Sequence, residues 1–272
     1  MKVFEMPVRA GSAATLVGYL HDLSPEMPHR DTRPAMLVFP GGGYHFCSDR
    51  EGEPIALEWF RRGYNAFVMR YTLIGEQQPA PLYLLPLTDA AATVTLLREN
   101  AADWHVDPAR IAVIGFSAGA HLTASLATHW DDARLGAQNA RPDAIVLGYP
   151  VISTRPEAGG WSSDCAAALC AGEEEWLHYF ATEECVRADM PPAFVWTTCT
   201  DSLVDMRHSM RFVSAMHAQQ LRCELHVFDR GEHGYALANG ETWAETLPVD
   251  THIADWTRLA GRWLDDVFGW TP

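Results

Sequence analysis

The sequence predicts an α/β fold, an open and mostly parallel sheet with helices on both faces. Two observations carry that prediction. Short apolar runs alternate with longer stretches of helical periodicity along the chain. The runs at 35–39, 111–114 and 144–149 are apolar at every position rather than at alternate ones, the pattern of parallel strands covered on both sides. With 272 residues, 48% of them apolar, and no repeat, low-complexity tract or linker, one α/β domain over residues 1–272 is expected.

The elements follow in order. Residues 35–39 form an apolar strand that stops at Pro40-Gly41-Gly42-Gly43, and residues 65–71 form another after Gly63. Residues 111–114 run into Gly115, and residues 144–149 stop at Pro150. Residues 193–197 follow Pro191-Pro192, and residues 223–228 end near Gly231. Helical patterns lie between them at 51–62, 86–102, 118–130 and 206–220. A last helix over 252–268 repeats Ile253, Trp256, Ala260, Trp263, Leu264 and Val267 at helical spacing. Residues 151–190 break the alternation. They hold Gly159-Gly160-Trp161 and two short helical stretches near 164–171 and 173–181. They read as a small lid or cap insertion over the sheet's carboxyl edge, or else as a long connection. Sheets of this kind place their sites at the carboxyl ends of strands, so chemistry is sought in the loops that follow them.

Composition narrows the function. A formal net charge of −15 repels phosphate backbones and anionic bilayers, so neither nucleic acid nor a membrane is an expected partner. Lys2 is the sole lysine. A Schiff-base or phosphate-loop lysine would have to be that terminal residue, which argues against pyridoxal enzymes and P-loop nucleotidases. The first residues hold no apolar run long enough for a signal peptide, and no segment reaches the ~18 apolar residues of a membrane span. Cys47, Cys165, Cys170, Cys185, Cys199 and Cys223 form no C-x-x-C pair and read as reduced thiols of a cytoplasmic protein. There is no H-E-x-x-H and no zinc spacing, so no metal is expected.

Gly115-Phe116-Ser117-Ala118-Gly119 matches G-x-S-x-G. A chain of this length shows that pattern by chance roughly one time in ten. The context raises its weight: a strand precedes it directly and a helical run follows directly, which is what a serine presented on a tight strand-to-helix turn requires. A serine there stands at a helix N-terminus, where N–H groups favour developing negative charge. Acyl transfer also needs N–H donors aimed at an oxyanion. Gly42 or Gly43 in the glycine loop, with the N–H of Ala118, are the candidates. The base is sought among 12 histidines. His233 in Gly231-Glu232-His233-Gly234-Tyr235 lies just past the last strand and completes the chain order Ser, Asp, His. For the acid, Asp201 follows the strand at 193–197 and is preferred. Asp205, four residues on, is second and has a helix-start role as an alternative. Asp229 reads as a turn residue. His121, one helical turn past Ser117, reads as structural. Tyr44, His45, Cys47 and Trp161 are candidate pocket residues, and Trp161, Trp176 and Trp243 are candidates for stacking on a sugar.

P-G-G-G-Y, R-E-G-E-P-I-A at 50–56, G-Y-N-A-F-V-M-R-Y at 63–71, G-F-S-A-G-A-H-L at 115–122, Y-P-V-I at 149–152, P-P-A-F-V-W at 191–196 and G-E-H-G at 231–234 together resemble a bacterial α/β-hydrolase family. It is the acetyl xylan esterase-like or carbohydrate esterase-like family, related to the hormone-sensitive-lipase and feruloyl-esterase groups. The match covers roughly residues 35–240. It implies a mixed eight-stranded sheet, a triad of Ser117, Asp201 and His233, and no cofactor. Asp205 stands where that family usually has proline. The expected activity is hydrolysis of small acyl esters, foremost acetyl groups on sugars, with a small-molecule ester as partner and the oligomeric state open. An arylformamidase or a general short-chain carboxylesterase or lipase is the alternative, and an inactive binding protein on the same fold is the non-enzyme alternative.

Overall fold

The computed structural model describes residues 1–271. Eight strands form one sheet: β1 (Lys2–Pro7), β2 (Thr15–Leu20), β3 (Arg33–Phe39), β4 (Asn65–Arg70), β5 (Val106–Phe116), β6 (Ala144–Gly148), β7 (Ala193–Thr198) and β8 (Cys223–Phe228). Their order is β1-β2-β4-β3-β5-β6-β7-β8. β1 and β2 run antiparallel to their neighbours, and β3 through β8 are mutually parallel. All seven residues of β3 and all five of β6 are buried, as the apolar runs at 34–39 and 144–148 demand.

The helices are α1 (Glu53–Arg61), α2 (Leu85–Glu99), α3 (Ala118–His129), α4 (Ser162–Leu169), α5 (Glu174–Phe180), α6 (Arg207–Ala218), α7 (Thr251–Ala254) and α8 (Trp256–Phe268). They split the core in two. Leu87, Val94, Leu122, Leu126, Phe212 and Met216 of α2, α3 and α6 cover one face of the sheet. Ile55 and Trp59 of α1, with Trp256, Trp263 and Leu264 of α8, cover the other. The expected helix at 252–268 is two: Asp255 closes α7 and opens α8. The strand expected at 111–114 begins earlier, at Val106. Residues 151–190 carry α4 and α5, close to the two short helices anticipated there.

The order reverses at β3, which lies between β4 and β5. The chain leaves β3 toward one side of the sheet and leaves β5 toward the other. A crevice opens at the carboxyl ends where neighbouring connections diverge. The glycine loop follows β3 and Ser117 follows β5, so both loops border that crevice. No helix among the described residues is long and apolar enough to cross a membrane.

Candidate active site

The serine turn is set by sterics. Ser117 has φ 52° and ψ −118°, a left-handed backbone that a side-chain-bearing residue rarely adopts. Its N–H donates to Gly148 O at 3.0 Å, and its carbonyl accepts from His121 N at 3.0 Å. The flanking glycines are required by close approach. A β-carbon on Gly119 would stand 2.1 Å from Phe39 O, and one on Gly115 would stand 2.2 Å from Gly119 O. The helix that follows is buried from Ala118 to Thr128, and its small residues let it lie close against β5.

The glycine loop braces itself. Ser48 N–H donates to Gly41 O at 2.9 Å, while His45 and Phe46 N–H both donate to Gly42 O. Gly41 N–H donates to Glu51 Oε2 at 2.8 Å. Among the described residues, the N–H groups of Gly42, Gly43 and Ala118 find no acceptor. Ala118 is the first residue of α3 and so has no intrahelical partner.

His233 stands between Ser117 and Asp201. Ser117 Oγ–H donates to His233 Nε2 at 2.8 Å, and His233 Nδ1–H donates to Asp201 Oδ2 at 2.7 Å. The Asp201 carboxylate is fully buried, and its other oxygen accepts the N–H groups of Leu203 and Val204 at 2.9 and 2.8 Å. The histidine loop is tied to the acid's loop: Thr198 Oγ1 donates to Gly231 O at 2.7 Å, and Gly231 N–H donates to Thr200 Oγ1 at 2.8 Å. Arg50 Nη1 reaches across from the glycine loop to Gly234 O at 2.8 Å. An imidazole so held can take a proton from the hydroxyl while the carboxylate stabilises the resulting imidazolium.

Asp205 faces elsewhere. It accepts from the Arg207 backbone and guanidinium, each at 2.8 Å, and that pair holds its carboxyl below the usual range. Asp229 is exposed beside Arg230.

A cleft of about 180 Å³ opens over Ser117, lined also by Gly42, Gly43, Phe46, Leu203, Trp161 and His233. Trp161 is therefore at the site. Tyr44 and His45 are not, contrary to expectation. The strained turn at Tyr44 (φ 66°) drives its side chain into the core, where its hydroxyl meets His121 Nδ1 at 2.8 Å. His45 is exposed outside the cleft. Cys47 borders a separate cavity with Asp49, Glu53 and Arg70. Trp176 packs on Tyr83, Tyr179 and Phe180, and Trp243 is exposed away from the cleft, so neither meets a ligand there. His121 is structural as expected: its Nε2–H donates to Phe180 O at 2.8 Å. Phe46, Arg50, Glu51 and Leu203 were missed. Phe46 carries a signal as an aromatic just past the glycine loop, and Arg50 and Glu51 open the R-E-G-E-P-I-A stretch; Leu203 carries none. Among the described residues no cluster of His, Cys, Asp or Glu is placed to hold a metal ion.

A serine on the turn after a central parallel strand, facing an imidazole and a carboxylate from later loops, defines an α/β hydrolase. The chain belongs to the alpha/beta hydrolase fold family whose model matches residues 37–237. It is 37% identical over 239 residues, 85% of its length, to endo-1,4-β-xylanase B of Butyrivibrio fibrisolvens. It is 26% identical over 263 residues, 89% of its length, to acetylxylan esterase of Xylanibacter ruminicola. It spans only 36% and 52% of those two relatives. The solved acetyl ester-xyloside bifunctional hydrolase of Caldicellulosiruptor lactoaceticus is 30% identical, with 97% of this chain and 96% of that one covered and a TM-score of 0.81.

Proposed function

We propose that this chain is a serine ester hydrolase that removes small acyl groups, foremost acetyl groups from sugars such as xylo-oligosaccharides. The observation that carries the proposal is the unbroken contact from Ser117 Oγ through His233 to Asp201 at the floor of a small cleft. In the proposed cycle His233 Nε2 takes the proton of Ser117, whose oxygen bonds to the ester carbonyl carbon. The N–H groups of Gly42 or Gly43 and of Ala118 hold the oxyanion. The carbon–oxygen bond to the alcohol breaks as His233 returns the proton to it. Water, activated by the same imidazole, then attacks the acyl-enzyme and frees the acid and Ser117. Side chains, backbone and water carry every step.

The preference for small acyl groups rests on the cleft volume of about 180 Å³, below the ~300 Å³ where pockets for drug-sized ligands begin. The sugar half of the substrate rests on the names of the xylanolytic relatives. A cytoplasmic location belongs to the same proposal and rests on the six free thiols. The test sets acetylated xylo-oligosaccharides beside p-nitrophenyl esters of increasing acyl length and N-formylkynurenine, with fluorophosphonate labelling in parallel. Release of acetate from the sugars and labelling lost in Ser117→Ala are the expected results. Turnover of p-nitrophenyl acetate without the sugars would make the chain a general short-chain esterase. Turnover of N-formylkynurenine alone would make it an arylformamidase. No label and no turnover would leave a binding protein.

A further inference from the structure

Glu51 is 3% exposed, and it lies between the two loops the proposed mechanism depends on. A buried carboxylate costs stability unless its oxygens are satisfied. Glu51 spends one on each loop. Its Oε2 accepts Gly41 N–H at 2.8 Å, at the root of the glycine loop. Its Oε1 accepts the Tyr149 hydroxyl at 2.6 Å. The Tyr149 oxygen in turn accepts Ala236 N–H at 3.0 Å, in the histidine loop. The Tyr149 ring stands edge-on to the His233 imidazole, with centroids 4.9 Å apart and planes at 70°. The carboxylate also stands close behind the nucleophile. A β-carbon on Gly41 would be 2.7 Å from Glu51 Oε2 and 2.9 Å from Ser117 Cβ.

We propose that Glu51 is a positioning residue that, through Tyr149, holds the oxyanion-binding loop and the histidine loop in one register. The inference rests on the hydrolase mechanism above. A carboxylate only accepts, so both neighbours must point donors at it. That sends the Tyr149 proton toward Glu51 and leaves the Tyr149 oxygen free for Ala236 N–H. Glutamine keeps the shape and breaks the pattern. Its NH₂ faces either the Gly41 N–H or a tyrosine oxygen that already accepts from Ala236. Neighbouring Arg50, bonded to Gly234 O, pins the same loop two residues earlier. Residues 50 and 51 thus clamp the histidine loop from the glycine loop.

The experiment compares Glu51→Gln, Tyr149→Phe and their double variant with wild type, on a p-nitrophenyl ester and with a short alkyl boronic acid that becomes tetrahedral on the serine. A loosened register acts on the transition state, so kcat should fall about 10- to 100-fold with KM within about threefold. Boronate affinity should fall in parallel. The double variant should resemble the worse single variant, because the two side chains act as a unit. Ser117→Ala serves as the control for the parent mechanism. If it retains activity, that mechanism fails. If it is dead while folded Glu51→Gln and Tyr149→Phe keep wild-type kcat and boronate affinity and lose only thermal stability, the positioning role alone is overturned.

Discussion

Trp161 packs directly on the Cα of Gly43: a β-carbon there would stand 2.4 Å from two atoms of the indole ring. One residue comes from the insertion after β6 and the other from the loop after β3. Their contact closes the cleft over Ser117 on one side. Part of the cleft's lining therefore comes from a residue remote in sequence from the serine.

Trp161→Ala should deepen the cleft. The ratio of kcat/KM for p-nitrophenyl hexanoate to that for acetate should rise at least about tenfold, the discrimination that a methylene's worth of pocket supplies. Gly43→Ala should act oppositely. It forces a side chain into a φ of 63° and against the indole, so turnover of every ester should fall. An acyl-length profile unchanged in Trp161→Ala would remove the indole from the acyl site.

Asp201 and Asp205 should separate cleanly. Asp201→Asn replaces the acceptor of the His233 Nδ1 proton with a group that can present the wrong partner, so kcat should fall about 10³- to 10⁴-fold. Asp205→Asn disturbs a partly exposed contact with Arg207. It should leave kcat within about twofold and cost no more than about 1 kcal/mol in urea unfolding. Equal losses of kcat in the two variants would refute the assignment of the acid.

The readable parts of the site share a cause. The elbow glycines, the glycine loop and the glycine-flanked histidine each cluster within about five residues at a strand's end, which leaves a signature in the sequence even though Gly119 and Gly43 make room for Phe39 O and Trp161 far along the chain. Position after the strand at 193–197 and the family resemblance both favour Asp201 over Asp205; the geometry adds the two N–H groups of Leu203 and Val204 that aim it. The contacts that stayed hidden join distant segments. Glu51 and Tyr149 lie 98 residues apart, and Arg50 and Gly234 lie 184 apart. No spacing rule links such pairs. Tyr44 was misplaced because its inward turn follows from a positive φ that the sequence does not advertise. β1 and β2 lie in no continuous apolar run, and only the resemblance to a family with a mixed sheet implies them. β1 alternates exposed and half-buried residues at the sheet edge, and Gly18 interrupts β2 where the Phe4 ring packs.

Buried histidines make the fold acid-sensitive, with a calculable sign. His121 is wholly buried between Tyr44 and Phe180, and burial above all pushes its pKa down to about 4. Burial also lowers His208, which accepts Ile152 and Ser153 N–H at the base of the insertion, and His129, which bonds Tyr179 O. For each, the folded pKa lies below the unfolded value near 6.5, so the unfolded chain binds the proton first. Their contribution is complete above pH ~6.5 and shrinks as the pH falls below it. For His121 it shrinks down to about pH 4, at about 1.4 kcal/mol per pH unit once the group titrates only in the unfolded chain. Urea midpoints should therefore drop between pH 7 and pH 5. Asp143 and Glu183, whose carboxyls burial raises, act in the opposite sense. Comparison of a single variant with wild type cancels them. His121→Gln can still donate to Phe180 O and accept from Tyr44, yet it cannot titrate. It should flatten the pH dependence of the unfolding free energy by close to one proton's worth across pH 5 to 6. An unchanged slope would mean that His121 is protonated in the folded enzyme, and the Tyr44–His121–Phe180 bridge would then need a different proton arrangement.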